Sequence, residues 1–342
     1  MVTCVSTSSD RARATTPKWH ASNWSRPVPD HGAPENLNEP VAVRRACFVL
    51  AYDGAAFHGF APNPGVPTVV GVLSDAMELV SRHEINLIGA GRTDAGVHAW
   101  GQVVSCELPA RVDLANLIHH VNRMCAPHVV VRSAEWMADD FSARFSATWR
   151  HYRYTIVNGP AQNPFLAATA WHVPQPLLLA GMQLACDALI GEHDFTTFCR
   201  KPKPAGGQPE PSLRRRVMLA RWSDITDSLG PYAEGSRVLR FEIRANAFCH
   251  QMVRSIVGTH ADVGRGRFHA GDMRALILAR DRTIAGDVAP AHGLMLWQVG
   301  YDGERYHGGR GRSAPSVTAD VVAETEPGGH QHHDADGASQ QP

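Results

Sequence analysis

The sequence predicts an α+β fold built from two copies of a ferredoxin-like β-α-β-β-α-β unit placed side by side. The first observation is a helical pattern over 68–82, where apolar residues recur at i, i+3, i+4, i+7, i+8 and i+11. The second is strict alternation over 237–245, where apolar residues alternate with Arg240, Glu242 and Arg244. The third is that the order of predicted strands and helices repeats along the chain. Two such units can merge their sheets and leave a cleft between them, with helices on the outer faces.

The first unit, 43–145, is predicted to contain two helices among four strands. A helix is predicted where apolar residues follow the helical period, and a strand where a short β-rich run lies between turn residues. In chain order these elements are a strand at 46–52, a helix at 68–82, strands at 85–91 and 102–108, a helix at 113–124 and a strand at 129–136.

The second unit, 146–302, repeats the order with one extra helix. Its first strand places Tyr152 and Tyr154 on one face, and two tyrosines on one face are more often core residues than a stacking platform. The predicted elements are a strand at 149–157, a helix at 176–195 that stops near Gly191, strands at 214–222 and 237–245, helices at 250–264 and 271–280, and a strand at 294–301.

The two ends of the chain, 1–42 and 303–342, are predicted to be disordered because they are polar and contain few large apolar residues. The N-terminus has no apolar stretch of the kind found in secretory signals, and no run is long enough for a membrane span. Seven cysteines are scattered without a C-x-x-C spacing. This pattern favours reduced thiols and a cytoplasmic protein.

The charge of the chain does not by itself indicate a nucleic-acid partner, because 33 basic residues balance 33 acidic ones. Clustering is more informative. The stretch 199–221 carries seven basic residues and one acidic residue. Such a cluster fits either a phosphate-binding surface or a solvated loop, and the sequence does not choose between them.

The stretch "GAGRTDAGVHAWGQ" (89–102) joins two predicted strands and holds one carboxylate, Asp94, among glycines. Glycine permits a tight bend and the close approach of a ligand, and functional side chains often lie on such loops. Asp94 could instead form an Asx turn with its own backbone. The local pattern leaves both interpretations open.

Several chemistries do not fit the residues around Asp94. Aspartic proteases and retaining glycosidases need a second carboxylate, metal hydrolases need several ligands, and the phosphate-loop pattern is absent. A single carboxylate acting as a covalent nucleophile remains. Such a group must be ionised, which a nearby guanidinium favours, and the candidates are Arg92 in the loop and Arg254 in a predicted helix.

Five motifs in a fixed order carry a resemblance to a known family. They are "AGRTDAGVHA" with "GQVV", "DDFSARFSATWRHYRYTI", "FCRKP", "FEIRANAFCHQMVRSIVGT" and "DRTIAG…AHGLMLWQV". Over 46–301 the chain resembles the tRNA pseudouridine synthase A family. One motif departs from the usual pattern: Phe60 and Ala61 stand where Trp-Gln is usual, which bears on RNA contacts from that loop.

The resemblance implies a pseudouridine-synthase-like fold, with a mixed, mostly antiparallel sheet and a central cleft. It implies an enzyme that isomerises uridines 38, 39 and 40 in the anticodon arm of tRNA, without a metal or organic cofactor. It also implies a homodimer in which one tRNA contacts both subunits. The motif match assigns Asp94 as the nucleophile, Arg254 as the partner of its carboxylate, and Tyr152 as the residue that packs on the target base and assists proton removal.

Further substrate-binding residues follow from the same match. Arg92 is expected to enter the space left by the flipped base, Phe141 and Arg144 to help hold the RNA, and Leu294 to line the base pocket. Base flipping fits this chemistry because the target atoms are inaccessible inside a stacked stem. Two alternatives remain: a tRNA-binding module that has lost its chemistry, or the same chemistry on another RNA.

Overall fold

One large sheet organises the part of the chain that the computed structural model describes, residues 42–201, 211–233 and 235–303. Five α-helices accompany its ten strands within these residues, which confirms the predicted mixed α+β class with a mostly antiparallel sheet. The strands are β1 (Val43–Tyr52), β2 (Ile88–Gly89), β3 (His98–Pro109), β4 (Val129–Trp136), β5 (Trp149–Asn158), β6 (Trp171–Val173), β7 (Gly191–Asp194), β8 (Arg214–Asp224), β9 (Arg237–Ala245) and β10 (Leu294–Gly300). The helices are α1 (Val69–Ser81), α2 (Leu114–Cys125), α3 (Leu179–Ala185), α4 (Met252–Gly264) and α5 (Asp272–Ala279).

Both helices of the first half begin at side-chain caps that are visible in the sequence. The hydroxyl of Thr68 accepts a hydrogen bond from the backbone N–H of Gly71 at the start of α1. The carboxylate of Asp113 accepts from the N–H groups of Ala115 and Asn116 at the start of α2. Each cap satisfies N–H groups that have no partner inside the helix, which explains why the predicted starts lie within a residue of the observed ones.

Two predicted elements were wrong. The helix expected over 176–195 is only α3, and the chain then forms strand β7, which pairs with Arg214–Val217 of β8. Gly191 begins this strand with φ of +101°, a conformation that favours glycine and is incompatible with continuing a helix. The strand expected over 85–91 is reduced to the two residues of β2, because the chain turns at once into the glycine-rich loop.

The two halves of the sheet meet at β10, which lies between β3 and β5 in the strand order β4-β1-β3-β10-β5-β9-β8-β7. It pairs with β5 antiparallel from Leu294 opposite Tyr154 to Gly300 opposite Trp149. Its pairing with β3 is parallel and covers two positions only. Gly101 of β3 faces the backbone of β10, where a side chain would collide with a carbonyl oxygen. Strand β10 therefore joins the two halves of the sheet, although its pairing with β3 is short.

A row of aromatic and guanidinium groups crosses the junction between β3 and β10. The rings of Trp100 in β3 and Trp297 in β10 are stacked with centroids 6.1 Å apart. The guanidinium of Arg132 lies 4.2 Å from the Trp100 ring, and that of Arg153 lies 3.6 Å from the Trp297 ring. Cation–π contacts of this kind add to the stability that the short β3–β10 pairing provides.

The alternation predicted for β9 is confirmed, with one change. Its apolar positions are fully buried, whereas Arg240 and Arg244 on the other face are partly exposed. Glu242 shares that polar face but is only 4% exposed. Arg153 and Arg221 enclose it, because their Nε atoms lie 2.8 and 2.6 Å from its carboxylate oxygens.

The expectation that the cysteines are all reduced thiols is wrong for one pair, because a disulfide joins Cys199 and Cys249. Their Cα atoms lie 5.8 Å apart, within the range that a disulfide spans. A hydrogen bond of 3.0 Å from the N–H of Arg200 to the carbonyl of His250 holds the two segments together. Sequence spacing did not reveal the pair because 50 residues separate its members.

The predicted disordered ends, apart from Ala42 and Gly303, lie outside the described residues, as does 202–210 of the basic stretch. In the part of the chain that is described, no helix combines the length and apolar character needed to span a bilayer.

Candidate active site

The loop that carries Asp94 is held at both ends and at its centre by the surrounding core. The N–H of Phe60 donates to the carbonyl of Thr93 at 3.1 Å, and the Thr93 hydroxyl lies 2.8 Å from the hydroxyl of Tyr52. The side-chain amide of Gln102 donates to the carbonyl of Gly91 at 2.8 Å. Thr93 and Gln102 are buried, so these bonds fix the loop before any substrate binds.

Phe60, which departs from the usual motif, is part of this support. It is 3% exposed, and its ring lies 6.3 Å from that of Tyr52. A side chain at Gly89 would collide with the Phe60 ring, so the glycine permits the ring to pack beneath the loop. In this chain the position contributes to the core below Asp94.

Asp94 faces two cationic or titratable side chains. Its Oδ2 lies 3.1 Å from Nη1 of Arg254, and its Oδ1 lies 3.2 Å from Nε2 of His250. The Asp94 side chain is 25% exposed, so it remains reachable from solvent. The structure therefore brings Asp94 and Arg254 together, as the sequence predicts. It adds His250, which sequence reasoning missed because this residue lies before α4 begins and reaches Asp94 only through the fold.

Arg254 is positioned by more than its contact with Asp94. Its Nε donates to the carbonyl of Ala289 at 2.8 Å, and its own carbonyl accepts from the Ala289 N–H at 3.1 Å. Gly258, one turn later in α4, allows the backbone at Asp287 to pack directly against the helix, where any side chain would collide. Close packing along α4 thus fixes the direction in which the guanidinium points.

Tyr152 lies on β5, beside the loop. It is 7% exposed, and its ring makes an edge contact with Phe248 at a centroid distance of 4.9 Å. A Cβ atom added to Gly91 would lie 4.0 Å from the Tyr152 hydroxyl, so the hydroxyl faces the loop that carries Asp94. Burial raises the pKa of Tyr152 well above its ordinary value, and the negative charge of Asp94 raises the pKa further. Tyr152 is therefore a neutral phenol at physiological pH.

The family described as tRNA pseudouridine synthase matches residues 185–302, which include α4 and Arg254. A Bacillus licheniformis protein named tRNA pseudouridine synthase A is 37% identical over 262 residues, covering 76% of this chain and 100% of the relative. The chain belongs to the tRNA pseudouridine synthase A family. Proteins of that name from Rhodopseudomonas palustris and Azorhizobium caulinodans are 40% and 41% identical over 74% of this chain, covering 97% and 92% of the relatives.

Membership of the tRNA pseudouridine synthase A family confirms the resemblance and the predicted enzyme class, since this is a family of isomerases. The shared region spans nearly the whole length of these relatives. About a quarter of this chain lies outside each match.

The remaining residues predicted from the tRNA pseudouridine synthase A motifs have different surroundings. Arg92 is exposed two residues before the carboxylate. Arg144 is exposed too, with its guanidinium 5.4 Å from the ring of Phe145. Phe141 and Leu294 are buried at 5% and 6% exposure. The structure thus presents the two arginines to solvent, while the two apolar residues are packed.

In the described part of the basic stretch, two guanidinium groups already contact groups of the protein. Nε of Arg214 lies 2.9 Å from a carboxylate oxygen of Glu192. Nη1 of Arg215 donates to the carbonyls of Ser212 and Arg214, both at 2.7 Å. Both interpretations of this stretch, a phosphate surface and a solvated segment, remain open for 211–221.

Proposed function

We propose that this chain isomerises uridines 38, 39 and 40 in the anticodon stem-loop of tRNA to pseudouridine, with Asp94 as the nucleophile. The observation that carries the proposal is a loop carboxylate 3.1 Å from the Arg254 guanidinium, with the hydroxyl of the buried Tyr152 beside Gly91 of the same loop. Relatives of this chain are named tRNA pseudouridine synthase A.

The reaction needs a uridine that has left the stem, because C5 and the glycosidic bond are inaccessible in a stacked helix. Arg92 enters the space that the base leaves, where its planar guanidinium can also bind phosphate. Its exposure and its position two residues from Asp94 support this role. Arg144 holds the RNA backbone, and Phe141 fixes the segment that carries Arg144 through its contact with Tyr301, 5.1 Å between ring centroids.

The Asp94 carboxylate bonds covalently to the nucleotide and is later released. In the course of these steps the N1–C1′ bond of uridine breaks and a C5–C1′ bond forms. C5 loses its proton and N1 gains one, so atoms and electrons balance without a co-substrate. Arg254 stabilises the ionised carboxylate before attack and after its release. Leu294, paired with Tyr154 at the start of β10, contributes an apolar wall to the base pocket.

Tyr152 packs on the base and assists the removal of the C5 proton. Its raised pKa means that it begins as a neutral phenol. It can therefore accept the proton from C5 only while passing its own proton to another acceptor. The carboxylate of Asp94, once it has been released from the nucleotide, can receive that proton and lose it to solvent.

The proposal is tested with unmodified tRNA that carries tritium at uracil C5, since isomerisation releases that tritium to water. Wild-type protein should release tritium and Asp94→Asn should not, and sequencing of the product should place the modification at 38, 39 or 40. If wild type binds tRNA without releasing tritium, the chain is a binding module. Modification in a different RNA would instead support the same chemistry on another substrate.

The remaining expectations concern assembly and location. We propose that the chain is a homodimer in the cytoplasm, where its tRNA substrate is found, and that 43–145 and 146–302 are two copies of one split unit around a central cleft. The order β1-α1-β2-β3-α2-β4 in the first half supports the unit boundary. Light scattering on the purified chain at micromolar concentration would give twice the monomer mass, and a monomer mass would rule out the dimer.

A further inference from the structure

A recess lies at the N-terminal end of α4, where Gln251 forms part of its wall. It is a cavity of about 460 Å³ lined by the side chains of Arg200, Lys201, Arg280 and Arg282, with Asp281 as the acidic residue of its wall. None of these residues belongs to the proposed catalytic set. A recess with four cationic side chains is suited to an anion.

The charges at this recess are not balanced by the described residues around it. Arg280 forms an ion pair with Asp194 at 3.2 Å, and Asp281 accepts hydrogen bonds from the backbone and hydroxyl of Thr283. Subtracting the carboxylates of Asp194 and Asp281 from the four cations leaves an excess of two positive charges. Among the described residues, no ion pair involves Arg200 or Lys201, and both are exposed.

The recess is also structurally fixed. Arg200 is attached through its backbone N–H to the carbonyl of His250, and the adjacent Cys199 is bonded to Cys249. Arg282 donates to the carbonyl of Thr197 and to the hydroxyl of Ser255. The guanidinium of Arg282 and the backbone of Arg200 are thus held before an anion binds, which reduces the conformational entropy lost on binding.

Two helix ends shape the wall of the recess. Gln251, with φ of 64°, is the N-cap residue of α4, and Arg280, with φ of 53°, is the C-cap residue of α5. A left-handed residue is common at the end of a helix, where it turns the chain away from the helix axis. Both residues line the cavity, which is therefore built between two helix ends.

The recess and the carboxylate share the first turn of α4. Arg254 contacts Asp94, and the next residue, Ser255, contacts Arg282. His250 connects the same two places, because its ring contacts Asp94 and its carbonyl holds Arg200. An RNA strand with one nucleotide at Asp94 would therefore have its neighbouring backbone within reach of the recess.

We infer that this recess binds a backbone phosphate of the RNA next to the nucleotide that reaches Asp94. The inference rests on the proposed function and adds a binding site to it. Arginine and lysine are the residues that bind phosphate oxygens through charge-assisted hydrogen bonds. The contact fixes the register of the strand and contributes to affinity without reading a base.

The test uses Arg200→Ala/Lys201→Ala in the full chain, with Arg123→Ala as control because Arg123 is an exposed arginine on α2. Affinity for tRNA is measured between 50 and 200 mM salt, together with tritium release at saturating tRNA. The double variant should bind about tenfold more weakly at 100 mM salt, with a salt slope smaller by about one. The control should match wild type, and circular dichroism should show that both variants are folded.

A second measurement connects the recess to one phosphate. Single phosphates of an anticodon stem-loop are replaced by neutral methylphosphonates. One substitution should weaken binding to wild type about tenfold and leave binding to the double variant unchanged, because the interaction is already lost. Unchanged affinity and salt slope in the double variant, while wild type releases tritium, would overturn the site without affecting the proposed function. Saturable binding of inorganic phosphate with undiminished tRNA affinity would assign the recess to a free anion instead.

Discussion

Nη1 of Arg254 lies 3.1 Å from Oδ2 of Asp94, across 160 residues of sequence. The guanidinium is held independently by the carbonyl of Ala289, so it does not need Asp94 to keep its direction. A cation fixed in this way can stabilise the carboxylate both before it attacks a substrate and after it is released. The pair connects the first half of the chain to the second at the point where chemistry is proposed.

Asp94→Asn should lower tritium release by at least about 10⁴-fold, because the amide cannot act as the nucleophile. Its affinity for tRNA should stay within about tenfold of wild type, since most binding comes from phosphate contacts. Single-turnover release and equilibrium binding measure the two effects. Loss of the folded state in this variant would show that Asp94 has a structural role instead.

Arg254→Gln should slow the single-turnover rate by about 10- to 100-fold, the effect of removing one charged hydrogen bond of about 1.5–3 kcal/mol. Arg254→Lys should recover part of the rate, because it keeps the charge but cannot contact Ala289 and Asp94 with a fixed fork. The dissociation constant for tRNA should change little in both variants. Equal rates for the glutamine and lysine variants would argue against a charge effect.

Tyr152 should remain protonated well above the pH at which an ordinary tyrosine ionises, because burial and the nearby carboxylate raise its pKa. The same direction holds for Tyr52, whose pKa burial raises to about 12. Ultraviolet titration of wild type and Tyr152→Phe should therefore give the same tyrosinate absorbance up to pH of about 10. A tyrosinate signal near pH 10 that disappears in the variant would contradict this prediction.

His260 should make stability fall in mild acid. It is fully buried in α4, its Nδ1 accepts a hydrogen bond from Nε1 of Trp222 at 2.9 Å, and desolvation lowers its pKa from 6.5 to about 3. The unfolded chain therefore takes up a proton below pH 6.5 that the folded chain does not, and stability falls as pH falls. Between pH 7 and pH 5 the loss from this group is about 2 kcal/mol.

His260→Asn keeps an acceptor for Trp222 and removes the titration. Its free energy of unfolding in urea should vary less between pH 7 and pH 5 than that of wild type, by about 2 kcal/mol. The same substitution at the exposed His119 of α2 controls for replacing a histidine with asparagine. If the free energy of unfolding of His260→Asn varied with pH as much as that of wild type, other groups would be the cause of the acid sensitivity.

Glu242→Gln should destabilise the fold, because the partly buried Arg153 and the buried His151 both lose the carboxylate that they contact. Removing one member of a buried charge cluster costs about 3 kcal/mol or more. Glu107→Gln, whose carboxylate is 56% exposed in its pair with Arg45, should cost less than about 1 kcal/mol. Urea unfolding at neutral pH measures both, and equal costs would mean that the Glu242 cluster is no stronger than a surface pair.

Sequence patterns predicted the elements that are long and regular. The alternation of β9 and the helical period of α1 gave boundaries within a few residues, because one face of each element is buried in the core. The pattern failed at β7, where four residues are too few to show a strand period. It also placed Glu242 on a polar face without revealing that arginines from β5 and β8 bury it.

The candidate site was predicted in part. Motifs brought Asp94, Arg254 and Tyr152 together, and the structure places Arg254 against the carboxylate and Tyr152 near it. His250 and the disulfide of Cys199 with Cys249 were missed, because both depend on how two distant segments meet. Contacts of that kind are a property of the fold and leave no periodic signal in the sequence.

The position of β10 has a consequence for the order in which the molecule is made. Residues 294–300 occupy the middle of the sheet, yet among the described strands they are the last to leave the ribosome. Until then β3 and β5 each lack β10 as a neighbour, and the edges that β10 will cover are open to other chains. The two halves of the sheet can therefore join only after Gly300 has been synthesised, and a chain interrupted before Leu294 would be a substrate for chaperones and proteases.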